Sequence, residues 1–248
     1  MGVLVFLLSL LPLAGGYHMN LMKAESPGPS VSKLVPKVQS TAKILYTIYF
    51  GMTLIQLALL LIGRVPLFDS LCITFGTAGT GGFGIVNDSL GSYSTYCQVV
   101  TTIFMILFGV NFSAYYLILT KKFRQAFKYE EVRYYFGIIA VAIVIIALNT
   151  AHLFRNLLTA FQQAAFQVGS IITTTGFSST DFNQWPALSK TVLVLLMFVG
   201  ACAGSTGGGI KVSRILILCK AAKKIPALPH PNAVKRSRWM TRSSPMIS

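Results

Sequence analysis

The sequence predicts an all-α integral membrane protein in which a unit of helix, re-entrant loop and helix occurs twice, preceded by the end of another membrane helix. Composition is the first reason, because 54% of the 248 residues are hydrophobic, 11% are charged and the mean hydropathy is +0.66. Soluble globular chains carry about 25% charged residues. The second reason is a set of apolar runs near the roughly 20 residues that a helix needs to cross a bilayer. These runs are 44–62, 99–119, 134–151 and 191–219, of which the last is interrupted by glycines and two cations.

The basic residues predict which connections are cytoplasmic. Of the 21 Lys and Arg, four lie in 17–43, five in 120–133 and nine in 211–248. Loops on the cytoplasmic side of a membrane carry such an excess. The net charge of +15 is therefore explained by membrane orientation, and we expect no nucleic-acid partner.

These patterns predict an order of segments along the chain. Each repeat has an outward helix, a short helix that dips into the membrane and a returning helix, with the short helices expected at 67–75 and 154–168. The predicted segments are the end of a preceding membrane helix (1–16), a cytoplasmic connection (17–43), a first repeat (44–120), a cytoplasmic loop (121–133), a second repeat with a broken last helix (134–219) and a basic cytoplasmic tail (220–248).

Two Thr- and Gly-rich stretches, 77–84 and 171–178, follow the short helices, and their Gly-Phe pairs are 94 positions apart. Irregular backbone at membrane depth survives only where protein or a water-filled cavity surrounds it. Carbonyl oxygens exposed there can replace the hydration shell of a potassium ion, and glycine accepts the backbone angles that such a loop requires. The predicted ion-binding residues are Thr80, Gly81, Gly82, Phe83, Thr174, Thr175, Gly176 and Phe177, with both phenylalanines packed behind the loops. The alternative is that these small residues only mediate close helix packing.

A third glycine-rich stretch, 200–214, resembles a phosphate-binding loop only superficially. Ile210 separates Gly209 from the lysine, and an apolar helix precedes the stretch instead of a strand. A helix broken inside the membrane is the better interpretation, because such breaks line cavities. A milder break is expected at 109–111. The predicted gate residues are Gly109, Val110, Asn111, Gly207, Gly208, Gly209, Lys211 and Arg214. The two cations could instead extend along apolar surface to reach the inner interface.

Other polar residues give weaker signals. Asp69, Asp88 and Asp181 lie near the outer ends of the dips, where they could concentrate cations or simply cap helices. The four cysteines lack metal-ligand spacing, and the sequence offers no set of nucleophile, base and orienter. We therefore expect neither an enzyme nor a bound cofactor.

Three motifs carry a resemblance to a known family: AGTGGFG (78–84), FQVGSIITTTGFSSTDF (166–182) and GACAGSTGGGIKVSR (200–214). The chain resembles the Trk/Ktr/HKT superfamily of potassium transporters, most closely the bacterial Trk-type membrane subunit, over about residues 2–219. The resemblance implies four helix–pore-loop–helix repeats around one potassium-channel-like pore, with this chain holding the third and fourth, that is, the C-terminal half.

The same resemblance implies function and partners. They are potassium uptake coupled to Na⁺ or H⁺, a multi-pass location in the bacterial inner membrane, a cytosolic nucleotide-binding regulatory subunit and a homodimer. It also implies gating by 109–111 and by Lys211 or Arg214. Two quarters of a filter cannot enclose an ion. The alternative is therefore a truncated, non-conducting structural or regulatory membrane subunit.

Overall fold

Eight α-helices form most of the chain that the computed structural model describes, which comprises residues 38–122, 124 and 129–224. They are α1 (Val38–Ile62), α2 (Leu67–Ala78), α3 (Thr95–Phe108), α4 (Phe112–Leu119), α5 (Glu130–Thr150), α6 (Leu157–Ile172), α7 (Ala187–Phe198) and α8 (Val212–Lys224). Short 3₁₀ turns occupy Ala151–Leu153 and Phe182–Gln184. The predicted helix end at 1–16, the connection up to residue 37 and the tail beyond 224 lie outside the described residues.

Helix length and hydropathy separate spanning helices from short ones. Lys43–Ile62 and Glu130–Leu153 are each long and apolar enough to cross a membrane, and α3 with α4 is a third span if the bent pair is counted as one. The apolar helices α2, α6 and α7 are only 12 to 16 residues long. A helix of that length is shorter than the hydrocarbon core of a bilayer, so these three do not cross it alone.

Local sequence explains several helix boundaries. Pro66 precedes α2 and Pro186 precedes α7, positions where a residue without a backbone N–H costs little. The Ser94 hydroxyl accepts from the Cys97 N–H at the start of α3, and the Asn111 side chain accepts from the Ser113 N–H at the start of α4. Such N-caps satisfy backbone donors that the first helical turn leaves free.

The succession of a long helix, a short helix, a loop and a broken helix occurs twice. In the first unit it is α1, α2, the loop and α3–α4, and in the second unit it is α5, α6, the loop and α7–α8. Both short helices extend further than the sequence predicts, to Ala78 and to Ile172. Thr and Gly do not by themselves end a helix. Each short helix ends two residues before a residue with a positive φ, which is Thr80 in the first unit and Thr174 in the second.

The two units interlock through their buried side chains. Phe166 and Phe177 of the second unit belong to the apolar cluster of the first unit, and Val110 and Ala114 of the first belong to the cluster of the second. Helix α6 packs against α3 as well as against its own neighbour α5. Each of the two apolar clusters therefore contains side chains from both units.

The returning helix of the first unit turns more sharply than the sequence suggests. Helices α3 and α4 meet at 94° across Gly109, Val110 and Asn111, where only a mild break was expected. Gly109 caps the end of α3 and Asn111 caps the start of α4, so the cap residues at both helix ends of this bend form hydrogen bonds. In the second unit the break is longer and runs from residue 199 to residue 211.

Candidate functional site

The loops that follow the two short helices have the same backbone conformation. We call residues 79–84 the first glycine loop and residues 173–178 the second glycine loop. In the first loop φ is 52° at Thr80 and 65° at Gly82, and in the second it is 59° at Thr174 and 93° at Gly176. A positive φ is a genuine outlier for a β-branched residue. Its occurrence at both threonines indicates that the surrounding structure enforces this conformation.

Hydrogen bonds also repeat between the loops at an offset of 94 residues. In each loop, two successive amides donate to one carbonyl of the preceding short helix. These bonds are Gly81 N to Gly76 O (2.8 Å), Gly82 N to Gly76 O (3.3 Å), Thr175 N to Ser170 O (2.9 Å) and Gly176 N to Ser170 O (3.4 Å). The two loops are therefore built in the same way.

Several carbonyl oxygens of the glycine loops accept no hydrogen bond from any described residue. Six of them match between the loops, at Thr80, Gly81 and Gly82 and at Thr174, Thr175 and Gly176, whereas those of Phe83 and Gly84 have no match in the second loop. In contrast, Phe177 O accepts from the Ser170 hydroxyl at 2.5 Å. Backbone carbonyls in a folded protein are normally paired with protein, water or a ligand. The six oxygens are thus available to a partner outside the described chain.

The two glycine loops lie directly against each other. A Cβ added to Gly82 would lie 2.1 Å from Thr175 O and 2.8 Å from the carbonyl carbon of Gly176. At the end of the second loop, the Leu90 N–H donates to Ser178 O at 2.8 Å, and the Ser178 N–H donates to the Ser89 hydroxyl at 3.2 Å. The structure therefore brings together the two sets of predicted ion-binding residues.

The two loop phenylalanines differ in their surroundings. Phe177 is 2% exposed and lies in the first unit beside Gly76, where an added Cβ would be 2.8 Å from the ring. Phe83 is 82% exposed, so the prediction that it packs behind its loop is wrong for the described chain. Phe177 is enclosed by the neighbouring unit. Phe83 would need a further unit beside it, and the described residues contain none.

The break between α7 and α8 contacts both glycine loops. We call residues 199–211 the glycine-rich segment. Its Gly208 N–H donates to the Thr174 hydroxyl at 2.7 Å, and the Thr80 hydroxyl donates to Thr206 O at 3.1 Å. The two ends of the segment are also joined, because the Gly200 N–H donates to Ile210 O at 2.8 Å. The predicted gate glycines therefore lie next to the predicted ion-binding loops.

The glycine-rich segment and two tyrosines donate hydrogen bonds to the carbonyls at the end of α3. Four successive carbonyls there, at residues 106 to 109, receive hydrogen bonds from outside the helix. The bonds are Tyr135 OH to Ile106 O (3.0 Å), Tyr115 OH to Leu107 O (2.7 Å), Thr206 N to Phe108 O (3.3 Å) and Cys202 N to Gly109 O (3.0 Å). The bend at 109–111 is thus connected to the glycine-rich segment.

Close packing explains several of the glycines predicted at the gate. A Cβ on Gly109 would lie 2.2 Å from the Tyr135 hydroxyl, and one on Gly207 would lie 2.5 Å from the Ala201 Cβ. Gly209 has a φ of 70°. Val110 is buried and Asn111 caps α4, so the bend residues serve as packing and capping groups.

The two predicted gate cations occupy different environments. Lys211 is half-buried and its ammonium group donates to Gly207 O inside the glycine-rich segment. Arg214 is exposed on the first turn of α8. The Lys211 side chain thus binds within the segment, whereas the Arg214 side chain is exposed and only the Arg214 N–H bonds to the segment, at Lys211 O (2.9 Å).

Sequence reasoning missed two polar side chains that fix this region. Glu131, in the first turn of α5, accepts from the Ala203 and Ser213 amides. Gln98, buried in α3, accepts from Gln162 at 2.8 Å and from Gln163 at 3.2 Å. The sequence contains one signal for Glu131. It lies at the start of an apolar helix, in a chain with only six acidic residues.

The outer aspartates are engaged in local hydrogen bonds. Asp69 accepts from the Tyr93 hydroxyl at 2.8 Å, and Asp181 accepts from the Asn183 N–H at 3.0 Å. Burial and the bond to Asp69 raise the pKa of Tyr93 to about 12, whereas the Asn183 amide lowers the pKa of Asp181. Asp88 accepts from Ser92 in the same way. Asp181 thus caps the turn Phe182–Gln184, whereas Asp69 and Asp88 bind side-chain hydroxyls and cap no described helix.

Comparison with known proteins agrees with the helical architecture. The family model described as TrkH, cation transport protein, matches residues 1–242. The Trk system potassium uptake protein TrkH of Salmonella typhimurium is 34% identical over 99% of this chain and 52% of its own length. The protein of the same name from Vibrio parahaemolyticus is 35% identical over 94% of this chain and 50% of its own length.

A solved structure is also similar. The crystal structure of the potassium transporter TrkH from Vibrio parahaemolyticus superposes with a TM-score of 0.77 at 29% identity, covering 94% of this chain and 49% of that one. The present chain thus spans about half the length of the relatives that it matches. Because the family model covers nearly every residue, the chain belongs to the TrkH family of cation transport proteins.

Proposed function

We propose that this chain forms part of a Trk-type potassium uptake pathway, in which backbone carbonyls of the two glycine loops coordinate the ion. The observation that carries the proposal is the pair of matching loops whose carbonyl oxygens have no partner among the described residues. Rings of backbone carbonyls that replace the hydration shell are the means by which potassium filters bind their ion.

The backbone conformation of the loops supports this role. In the first loop φ is positive at Thr80 and Gly82 but not at Gly81 between them. In the second loop φ is positive at Thr174 and Gly176 but not at Thr175. The amides of Gly81, Gly82, Thr175 and Gly176 are all bonded to their own short helices, so the carbonyls are the loop groups left for an ion. Helices α2 and α6 both end at the loops, and the negative end of the helix dipole favours a cation there.

The glycine-rich segment and the bend at 109–111 are proposed to form the gate. Gly207, Gly208 and Gly209 allow the segment to lie against the glycine loops. Lys211 holds a positive charge in the segment, and a charge at such a depth opposes the passage of cations. Arg214 lies in the first turn of α8, on the side that we assign to the cytoplasm, and is the weaker candidate because its side chain is exposed.

Two loops supply only half of a ring, so the complete pathway needs further loops of the same kind. Relatives about twice as long as this chain would supply four. On the family resemblance, the proposal also includes a multi-pass protein of the bacterial inner membrane that works as a homodimer with a cytosolic nucleotide-binding subunit; whether uptake is coupled to Na⁺ or to H⁺ stays open. The assignment of the two units as the third and fourth repeats stays a prediction.

A Gly176→Asp substitution tests the proposal in a transporter of full family length that carries this segment. Rubidium uptake is measured in cells that lack their own potassium uptake. A carboxylate in the second glycine loop would trap the ion and strain a position where φ is 93°, so we expect uptake to be abolished. Asn183→Asp adds the same charge in an exposed outer turn and should leave uptake unchanged. Normal uptake by the Gly176→Asp protein would overturn the assignment of the ion-binding loop.

A non-conducting structural or regulatory subunit is the second candidate. It is motivated by the two glycine loops, which by themselves supply only half of a ring of carbonyls around an ion. The test is rubidium flux through the purified chain in vesicles. Absence of flux, together with co-purification with other membrane subunits, would favour this candidate, and robust flux would exclude it.

A further inference from the structure

One carboxylate oxygen joins the two ends of the glycine-rich segment. The Oε1 atom of Glu131 accepts from the Ala203 N–H at 2.7 Å and from the Ser213 N–H at 3.2 Å. These amides lie ten positions apart, one within the segment and the other in the first turn of α8, just beyond it. Glu131 itself lies in neither the segment nor α8, because it is in the first turn of α5.

We propose that Glu131 is a positioning residue that keeps the glycine-rich segment pressed against the glycine loops. The inference rests on the proposed function, because it assigns to Glu131 the control of the same gate. The bonds that it supports are those from Gly208 to Thr174 and from Thr80 to Thr206, on the side of the segment that meets the loops.

The energetics of the two amides support this role. Ala203 is 4% exposed and Ser213 is 7% exposed, so without Glu131 both N–H groups would be left with little access to water. Hydrogen bonds to an ionised carboxylate are about twice as strong as neutral ones. The Ser213 amide also belongs to the positive end of α8, where a carboxylate is favoured. Glu131 is the acceptor that the described residues provide for both amides.

Cys202 offers a direct reporter of the position of the segment. Its side chain is fully buried, and its N–H donates to Gly109 O at 3.0 Å. If the segment leaves the glycine loops, this thiol becomes accessible to water. Cys97 is equally buried but lies in α3, in the apolar cluster of the first unit, and reports on the integrity of the fold. Neither reporter requires ion conduction.

The matched control is the neighbouring residue. Glu130 carries the same charge on the same helical turn, but it is exposed and pairs with Lys220 instead of the segment. The substitutions are Glu131→Ala and Glu131→Gln, with Glu130→Ala and Glu130→Gln beside them. They are made in a transporter of full family length that carries this segment. In membranes, the rate of alkylation by a water-soluble maleimide is measured at each cysteine by peptide mass spectrometry.

We expect Glu131→Ala to raise the alkylation rate of Cys202 about tenfold, the effect of leaving charge-bonded amides unpaired. Glu131→Gln should raise it less, because the amide oxygen still accepts. The Glu130 variants should leave it unchanged, and Cys97 should stay protected throughout. Unchanged protection of Cys202 in Glu131→Ala would overturn the proposal. So would equal exposure of Cys97 in both Glu131 variants, because Glu131 would then merely hold the fold together.

Rubidium flux from vesicles, without any regulatory subunit, tests the link to gating. We expect Glu131→Ala to increase flux over the wild type, while Glu130→Ala does not. Flux that stays unchanged while Cys202 becomes reactive would overturn the gating part. Absence of flux from the wild type and every variant, with Cys202 still exposed by Glu131→Ala, would instead reject the proposed conduction and leave the positioning role supported.

Discussion

Gly82 and Gly176 hold corresponding places in the two glycine loops, but a side chain would meet different surroundings at each. At Gly82 an added Cβ would lie 2.1 Å from Thr175 O, whereas at Gly176 it would meet nothing within 4 Å. Both residues have a positive φ, so both would be strained by a side chain. Only Gly82 is also required by the close contact between the loops.

Alanine at these two positions should therefore have unequal effects. Gly176→Ala should cost the backbone strain of roughly 1–2 kcal/mol that a left-handed residue carries. Gly82→Ala should cost more, because the loops must also separate. Thermal unfolding of the purified chain in detergent measures both. Gly137→Ala is the control, since a Cβ in that part of α5 meets nothing within 4 Å. Equal losses at Gly82 and Gly176 would contradict the contact between the loops.

At the scale of helices, polar side chains fix how the two units meet. Gln98 accepts from Gln162 and Gln163 of α6, and its own Nε2 donates to Leu90 O at 2.9 Å. This side chain is 5% exposed, so its bonds form away from water. It ties α3 to α6 next to the outer ends of the glycine loops.

Replacing Gln98 with Leu should destabilise the packing of α3 against α6. Buried groups left without a partner cost roughly 1–3 kcal/mol, and several partners of Gln98 would be affected. The measurement is the midpoint of thermal unfolding in detergent. Gln184→Leu provides the control, because Gln184 is exposed in the outer turn. An unfolding midpoint for Gln98→Leu no lower than that of Gln184→Leu would show that the network does not stabilise the interface.

Helices and loops could be predicted from the sequence to different extents. The apolar runs predicted the long helices, and the paired Gly-Phe stretches predicted the loops that follow α2 and α6. Both short helices run past their predicted ends, through 76–78 and 169–172, because Gly, Ser and Thr do not by themselves end a helix. The partners of Glu131 and Gln98 could not be predicted, since each is far away in sequence and the pairing depends on how helices pack. The segment boundaries and the roles of the gate residues remain predictions.

At the scale of the whole molecule, the two units are joined by a side chain that has no counterpart contact on the other side. Phe177 is buried in the first unit, whereas Phe83, at the equivalent position, is 82% exposed. The chain also spans about half the length of its relatives. We expect a further unit of the same kind to pack against the exposed ring in a transporter of full family length.

The two phenylalanines should respond differently to truncation. In the purified chain, Phe177→Ala should destabilise by roughly 3–5 kcal/mol, as removal of a buried phenylalanine does, and Phe83→Ala should have a small effect. In a transporter of full family length, Phe83→Ala should become costly as well. Unfolding in detergent is measured for both proteins. A small effect of Phe83→Ala in the full-length transporter would show that no neighbouring unit covers this ring.

The most direct test of the proposed ion site is anomalous diffraction from crystals of a transporter of full family length that carries this segment, grown with rubidium or thallium. We predict an anomalous peak beside the carbonyl oxygens of Thr80 to Gly82 and of Thr174 to Gly176. A peak elsewhere, with these carbonyls turned toward lipid or paired with protein, would contradict the account.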